Sequence, residues 1–394
     1  MNRVIRKQNE LEELSRELLQ QDVVALDTEF HGEKRYWPDL FLIQIAGSKG
    51  PVAIDPLEVD DLSPVARIAE SDSTVKVIHS ARNDIHLLMH HLGVEFNSVF
   101  DTQLAAAFLG FSRQTALSKL VRAECGTSPR RGHTLSDWSM RPLTHEQIDY
   151  ALDDVRYLIE IYRCQSARLK EKGRLKWYRE EAESLTDPDS YNNSIRKIYR
   201  KIKSISKIGK KKRNVLWALV KWRESAAEEV NKPRNYIVKD YILGAIAAMS
   251  PRNSKKLHRI RGLSGGFITR WGDQIIQVIA DAYSDPPGDL PEITRYHSKP
   301  GVAARRDILR IFLKQESCRL GISSQLLLSK KLINALANDP PETEEELYAI
   351  EELSGWRKEA LGKNLVSLLS GRLALKLSST GSSGLEFLQV DRSE

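Results

Sequence analysis

Cysteine is scarce in this chain and poorly spaced for structural use. Cys125, Cys164 and Cys318 lie far apart, with no CxxC pair. That spacing supports neither a disulfide framework nor a zinc site. Long apolar runs are also missing. The opening MNRVIRKQNELEELSRELL is charged throughout and offers no signal-peptide core. Nothing elsewhere approaches the uninterrupted apolar length that a bilayer requires. The expectation is a soluble, cytoplasmic protein with no membrane partner and no small-molecule cofactor. Long polar tracts are absent too, which excludes wholesale disorder. Only the Ser/Gly-rich end after Lys376 reads as a flexible tail.

What is present is length and an uneven distribution of charge. A chain of 394 residues exceeds one ordinary core, so two or three domains are expected. Residues 1–170 hold 20 Lys and Arg against 25 Asp and Glu, a balance of −5, whereas residues 171–394 hold 40 against 28, a balance of +12. An acidic half joined to a basic half suits an enzyme that holds cations in one part and a polyanion in the other. Solvated basic surface is the alternative reading.

Short β-type runs, VVALDTEF, FLIQIAG and PVAIDP, follow an opening helix at about 7–20; VKVIHS and SVFDT then alternate with helical segments. This order predicts an α/β domain over 1–170, a mixed sheet flanked by helices. A long helix is predicted from about Thr144 to Lys170, capped by Thr144. Beyond 171 no strands are expected. The expected order is a basic helical connector (171–208), a helical domain (209–285), a Pro-rich linker (286–301), a second helical domain (302–376) and the tail (377–394). Both helical domains end in a Gly-containing turn followed by an amphipathic helix, a faint internal repeat.

The chemistry concentrates in acidic residues. Asp27 and Glu29 lie two apart in VVALDTEF, so strand geometry puts both on one face. Two neighbouring carboxylates beside a core strand call for a counter-charge, and a divalent metal is the simplest one. A pair reaching solvent at a strand end is the plainer reading. On the helix near Tyr150, Ile148, Leu152, Val155 and Ile159 form one core stripe. Asp149, Asp153, Arg156, Glu160 and Arg163 form a solvated flank, and Tyr150, Asp154, Tyr157 and Ile161 a third stripe. Asp154 is thereby separated from Asp153 and placed one turn from Tyr150. Asp84 stands at a strand-to-helix junction, able either to reach over the sheet edge or to complement the helix N-terminus. Asp101, directly before another helix, reads as an N-cap.

In the order DTE, HSARNDI, FDTQLAA, SDWSMRPLT and YALDD, the chain closely resembles the ribonuclease D family of DEDD exonucleases, in the branch that carries tyrosine. The resemblance covers nearly all of residues 20–170. It implies a ribonuclease H-like fold, with Asp27, Glu29, Asp84 and Asp154 as ligands to two divalent ions, Mg²⁺ or Mn²⁺, and Tyr150 as a catalytic residue. NVLWALVKWRESAAEEVNKPRNYIVKDYILGAIAAMSPRN resembles an HRDC domain, and 302–376 a divergent second copy in which Gly355-Trp356-Arg357 is the clearest feature.

Taken together, these features predict a 3′→5′ exoribonuclease acting on RNA with a free 3′ end. The resemblance also implies trimming of transfer-RNA precursors, release of 5′-nucleotides and a monomer. Lys232, Arg234, Lys255, Lys256, Arg259 and Arg261 are the candidate RNA contacts, the mixture of cations and nearby aromatics fitting phosphate attraction with stacking. Two readings compete. One is a DNA exonuclease of the proofreading or repair type, because the carboxylates do not read the sugar. The other is an inactive RNA-binding scaffold, against which stands the filling of all five positions.

Overall fold

Apolar residues spaced for one helical face start the fold: Leu11, Leu14 and Leu18 of α1 (Gln8–Leu18) are buried. They precede β2 (Val23–His31), where Val24, Ala25 and Leu26 are buried. The computed structural model describes residues 3–129, 137–191, 195–203, 205, 208–285, 290, 299–341, 343–378 and 384–390. It divides into two compact units, one of residues 1–29, 40–190 and 297–394, the other of residues 30–39 and 191–296.

In the first unit, β1 (Arg3–Ile5), β2, β3 (Asp39–Gly47), β4 (Gly50–Ile54), β5 (Val75–Ile78) and β6 (Val99–Asp101) form one sheet in the order β1-β4-β3-β2-β5-β6. The sheet is mixed: β3 runs antiparallel to β4, whereas β1 with β4, β2 with β5 and β5 with β6 are parallel. β2 lies inside the sheet, between β3 and β5. Helices α2 (Ser63–Glu70), α3 (Arg82–Leu92), α4 (Thr102–Phe108), α5 (Leu117–Glu124), α6 (His145–Arg156), α7 (Leu158–Glu171) and α8 (Leu175–Ala182) complete this part. The α/β class expected from the sequence is the one observed.

Two local expectations differ. The single helix predicted from 144 is two helices, broken at Tyr157 (φ −102°, ψ −8°). The break resets the helical phase. Ile161 is therefore fully buried beside Ala106, Leu120 and Val121, while Ile159 is only half-buried. The end of the chain also forms strands: β7 (Leu373–Leu377) pairs antiparallel with β8 (Leu385–Gln389), so the described part of 377–394 contributes a paired strand rather than a loose tail. Phe387 packs against Phe312 at 5.6 Å between ring centres, an apolar anchor that the surrounding serines and glycines conceal in the sequence.

Residues 302–369 of the same unit carry helices Val302–Leu320, Ser324–Leu327, Lys330–Asn338, Glu344–Tyr348 and Gly355–Leu369. Their docking onto α8 is specific. Trp356 is buried, stacks on Trp177 at 5.6 Å and meets Phe108 edge-on at 5.1 Å. Its backbone N–H donates to the Glu180 carboxylate at 2.9 Å and its indole N–H to Glu181 at 3.2 Å. Arg357 pairs with Glu181 at 2.8 Å. Gly355 has φ +59°, and a Cβ there would overlap the Glu180 carboxylate, so only glycine fits.

The second unit contains helices Ile195–Lys201, Lys210–Glu229, Arg234–Ile237, Asp240–Met249, Ser254–Leu257 and Gly265–Ser284. From Lys210 onward, the succession long, one turn, medium, one turn, long matches that of 302–369. Its core gathers Trp217, Leu219, Leu243, Ile246, Leu257, Trp271 and Ile275. Residues 30–39 pack here as well, with the Tyr36 and Trp37 backbone N–H groups donating to Asn231 Oδ1 at 3.0 and 2.9 Å. The unit boundary near 190 divides the predicted connector 171–208, α8 belonging to the first unit. The predicted Pro-rich linker 286–301 falls, apart from 290 and 299–301, outside the described residues. Among the described residues, no helix is long and apolar enough to cross a membrane.

Candidate active site

Alternation along β2 leaves Asp27 and Glu29 half-open between buried Leu26 and Thr28. Asp154 comes from the last turn of α6, whose start is fixed by a capping box: Thr144 accepts from the Gln147 N–H at 3.2 Å, and Gln147 Oε1 accepts from the Thr144 N–H at 2.9 Å. The carboxylates of Asp27, Glu29 and Asp154 each offer an oxygen within 4.8 Å of the others. Asp84 enters from the first turn of α3. Its Oδ1 accepts a hydrogen bond from Thr28 Oγ1 at 2.5 Å, linking it to the strand between Asp27 and Glu29.

Burial and mutual repulsion act on the cluster in one direction. Desolvation is the leading cause at every carboxylate. Asp27 is raised well above the usual carboxylate range, with Asp84, Asp154 and Glu29 adding to its burial. Glu29 is pushed up to about 8 by burial and then by Asp154 and Asp84. Asp154 rises to about 7, with Asp153 and Asp84 adding to burial. Asp84 rises less, to about 6, because its bond from Thr28 favours the ionised form. Three carboxylates held this close, with Asp84 outside that group but near enough to repel them, need positive charge among them. A set made only of carboxylate oxygens suits a hard divalent cation.

Tyr150 stands beside the cluster. Burial raises its phenol to about 12, with Asp154, Glu29 and Asp27 contributing, so the hydroxyl keeps its proton at neutral pH. Its ring packs near Trp138, at 6.4 Å between centres, on a core of Leu42, Ala53, Ile148 and Leu152. Trp138 is fixed by a contact that sequence reading missed. Arg141 binds both oxygens of buried Asp55, at 2.6 and 2.8 Å, and donates to the carbonyls of Phe41 and Trp138 at 2.9 and 2.8 Å. Residues 137–144 of the conspicuous SDWSMRPLT run thus form a wedge behind Tyr150. No local pattern reveals its partner Asp55, 86 residues earlier.

Asp153 pairs with its flank neighbour Arg156 at 3.0 Å, but is buried rather than part of a solvated flank. The helical wheel supplies direction, not depth. Asp101 caps α4, as expected, accepting from the Gln103 and Leu104 N–H groups. In the second unit, Lys232, Lys255, Lys256, Arg259 and Arg261 are exposed, whereas Arg234 is half-buried and paired with Glu224 at 3.2 Å. None of the six lines the groove of about 580 Å³ formed by Lys201, Lys203, Asn235, Lys239 and Tyr241.

The sheet, with paired carboxylates on an inner strand and two more delivered by flanking helices, defines an exonuclease of the carboxylate–metal class. Residues 2–167 match the family described as 3′-5′ exonuclease, and residues 212–279 match the HRDC domain. The chain belongs to the ribonuclease D family. It is 32% identical to ribonuclease D of Nitrobacter hamburgensis, covering 93% of this chain and 95% of that one. It is 35% identical to that of Sphingobium indicum, over 89% and 90% of the two chains. The crystal structure of Escherichia coli RNase D, an exoribonuclease involved in structured RNA processing, superposes with a TM-score of 0.82 at 27% identity, covering 94% of this chain and 99% of that one. Members of this family are 3′→5′ exoribonucleases, and membership implies an RNA substrate and dependence on divalent metal.

Proposed function

We propose that this chain trims the 3′ ends of structured RNA, transfer-RNA precursors foremost, as a cytoplasmic monomer that uses two divalent ions, Mg²⁺ or Mn²⁺, and releases 5′-nucleotides. The observation that carries this reading is the convergence of Asp27, Glu29 and Asp154, with Asp84 tied to the same strand through Thr28. When bound, the ions supply the Lewis-acid charge for attack on a phosphodiester. Asp27, Glu29, Asp84 and Asp154 would hold them. Tyr150 orients the attacking water through its neutral hydroxyl; with its phenol at about 12 it is no general base at neutral pH. Tyr150→Phe is expected to lower kcat roughly 10²–10³-fold, the usual effect of losing one well-placed hydrogen-bonding group. Calorimetric Mn²⁺ affinity should stay unchanged; an equal loss of metal affinity would make Tyr150 part of the metal site instead.

RNA is held, in this reading, on the second unit, by exposed Lys232, Lys255, Lys256, Arg259 and Arg261 together with the lysine groove and exposed Tyr236 and Tyr241. Arg234 contributes through its pairing with Glu224, shaping the turn that presents Lys232. Residues 302–369 repeat the helical succession of this unit, which supports reading them as a second HRDC-like domain. The deciding experiment is a product ladder from a 5′-labelled, 3′-extended transfer-RNA precursor, with Mg²⁺, Mn²⁺ or chelator. Single-nucleotide shortening from the 3′ end, lost in chelator and slower on matched DNA, is expected. Faster shortening of the DNA would favour a DNA exonuclease. In the same assay, alanine at Lys255, Lys256, Arg259 and Arg261 should weaken binding and reduce the salt slope by up to about 3, at roughly 0.7 per phosphate contact.

A further inference from the structure

Asp101 does more than end a strand and cap a helix. Its carboxylate accepts four backbone N–H groups: Gln103 and Leu104 at the start of α4, and Ser80 and Ala81, both at 3.0 Å, just ahead of α3. It therefore clips together the two strand-to-helix turns that follow β5 and β6. The β5 turn needs a clip. Ser80 has φ +63°, a left-handed conformation that costs energy at any residue with a Cβ. Two residues later α3 begins, and Asp84 lies in its first turn, pointing back to Thr28. The position of Asp84 therefore follows the direction in which the Ser80–Ala81 turn launches the helix.

Asp101 is held in turn. Its own backbone N–H donates to the Tyr178 hydroxyl at 2.8 Å. Tyr178 is buried, with Phe100 at 4.7 Å and Phe108 at 6.4 Å between ring centres. It lies on α8, whose other contacts, through Trp177, Glu180 and Glu181, grip Trp356. A continuous set of packed and hydrogen-bonded groups thus leads from α8 through Tyr178 and Asp101 to Ser80, Ala81 and Asp84.

We propose that Asp101 and Tyr178 are positioning residues for the carboxylate of Asp84. This rests on the reading of Asp84 as a metal ligand. Neither residue is placed to touch the reacting phosphate; both act through backbone geometry. Outer-shell partners of metal ligands typically affect metal affinity or activity about 10–100-fold.

The test uses full-length protein, a 5′-labelled single-stranded oligoribonucleotide and Mn²⁺ titration. Asp101→Asn exchanges one acceptor oxygen for an NH₂ group. It is expected to weaken calorimetric Mn²⁺ binding about tenfold, to raise the Mn²⁺ concentration for half-maximal activity in step, and to lower kcat at fixed metal, with KM for RNA within twofold. Excess Mn²⁺ should recover much of the rate. Tyr178→Phe, which removes one oxygen and keeps the ring, should shift half-saturation the same way by a few-fold, and it carries the test should Asp101→Asn fail to fold. A lowered Tm with unchanged Mn²⁺ half-saturation in a folded variant would make the clip purely structural and overturn the proposal. Asp84→Asn is the control. If it kept full activity the ligand reading itself would fail; if it is inactive while Asp101→Asn and Tyr178→Phe titrate normally, only the positioning role fails.

Discussion

Asp154→Asn is expected to leave a folded protein whose turnover has fallen on the order of 10³-fold or more, whereas Asp153→Asn stays within about threefold of the native rate. The lower bound follows from scale. Losing an outer-shell partner already costs about 10–100-fold, and Asp154 offers its oxygen directly to the cluster. Asp153 faces elsewhere. It is buried against Arg156 at 3.0 Å, and its replacement breaks a charge-assisted bond worth about 1.5–3 kcal/mol. Arg156 is exposed enough for water to compensate, so the lower part of that range applies, and the signature is a Tm lower by a few degrees. Asp153 is also the leading electrostatic cause, after burial, of the raised Asp154 carboxyl. Its neutralisation should ease ionisation of Asp154, opposing any loss of rate. The measurements are kcat at saturating Mn²⁺ and a thermal melt for each variant. An inactive Asp153→Asn beside an active Asp154→Asn would exchange the two roles.

The separation of these adjacent aspartates was legible because helical direction is a local property. The strand pair was legible for the same reason: a period of two puts Asp27 and Glu29 on one face whatever surrounds them. Depth was not legible. Asp153 was expected at the surface because a wheel carries no information about what lies over each stripe. The phase inverted at Ile159 and Ile161 because a wheel assumes an unbroken helix, and Tyr157 gives no sequence signal of a break, being neither glycine nor proline. Supports formed over long separations were invisible as well. Thr28 to Asp84, Arg141 to Asp55 and Tyr178 to Asp101 span 56, 86 and 77 residues and exist only once the sheet has assembled. Local rules located Asp27, Glu29 and Asp154 as candidate ligands, and the family resemblance added Asp84; tertiary pairing decides how firmly each side chain is held.

That pairing leaves the metal-free protein with a conflict that pH should expose. Ordinary carboxylates titrate near 4, whereas Asp84, Asp154 and Glu29 are raised to about 6, 7 and 8, and Asp27 is raised as well. Between these limits the folded state binds more protons than the unfolded one. The cluster's contribution is therefore fully present below about pH 4 and is lost as pH rises through 6 to 8. Burial lowers the imidazoles of His79 and His86, which gives the opposite slope, so the comparison must isolate the cluster. Asp27→Asn does so. In chelator it should melt higher than the native chain at pH 8, because no carboxyl has to be kept protonated or repelled at that position, and by much less at pH 5. Mn²⁺ should reverse the order. It binds the ionised cluster and displaces protons, so the native chain gains most at pH 8 and little at pH 5. At 100 times Kd the gain is about 2.7 kcal/mol, or roughly 5–10 °C in the transition of the nuclease unit. Asp27→Asn should gain almost nothing. Equal Mn²⁺ stabilisation at both pH values, or a metal-free Asp27→Asn protein less stable than the native chain at pH 8, would show that carboxylate repulsion does not govern the stability of this site.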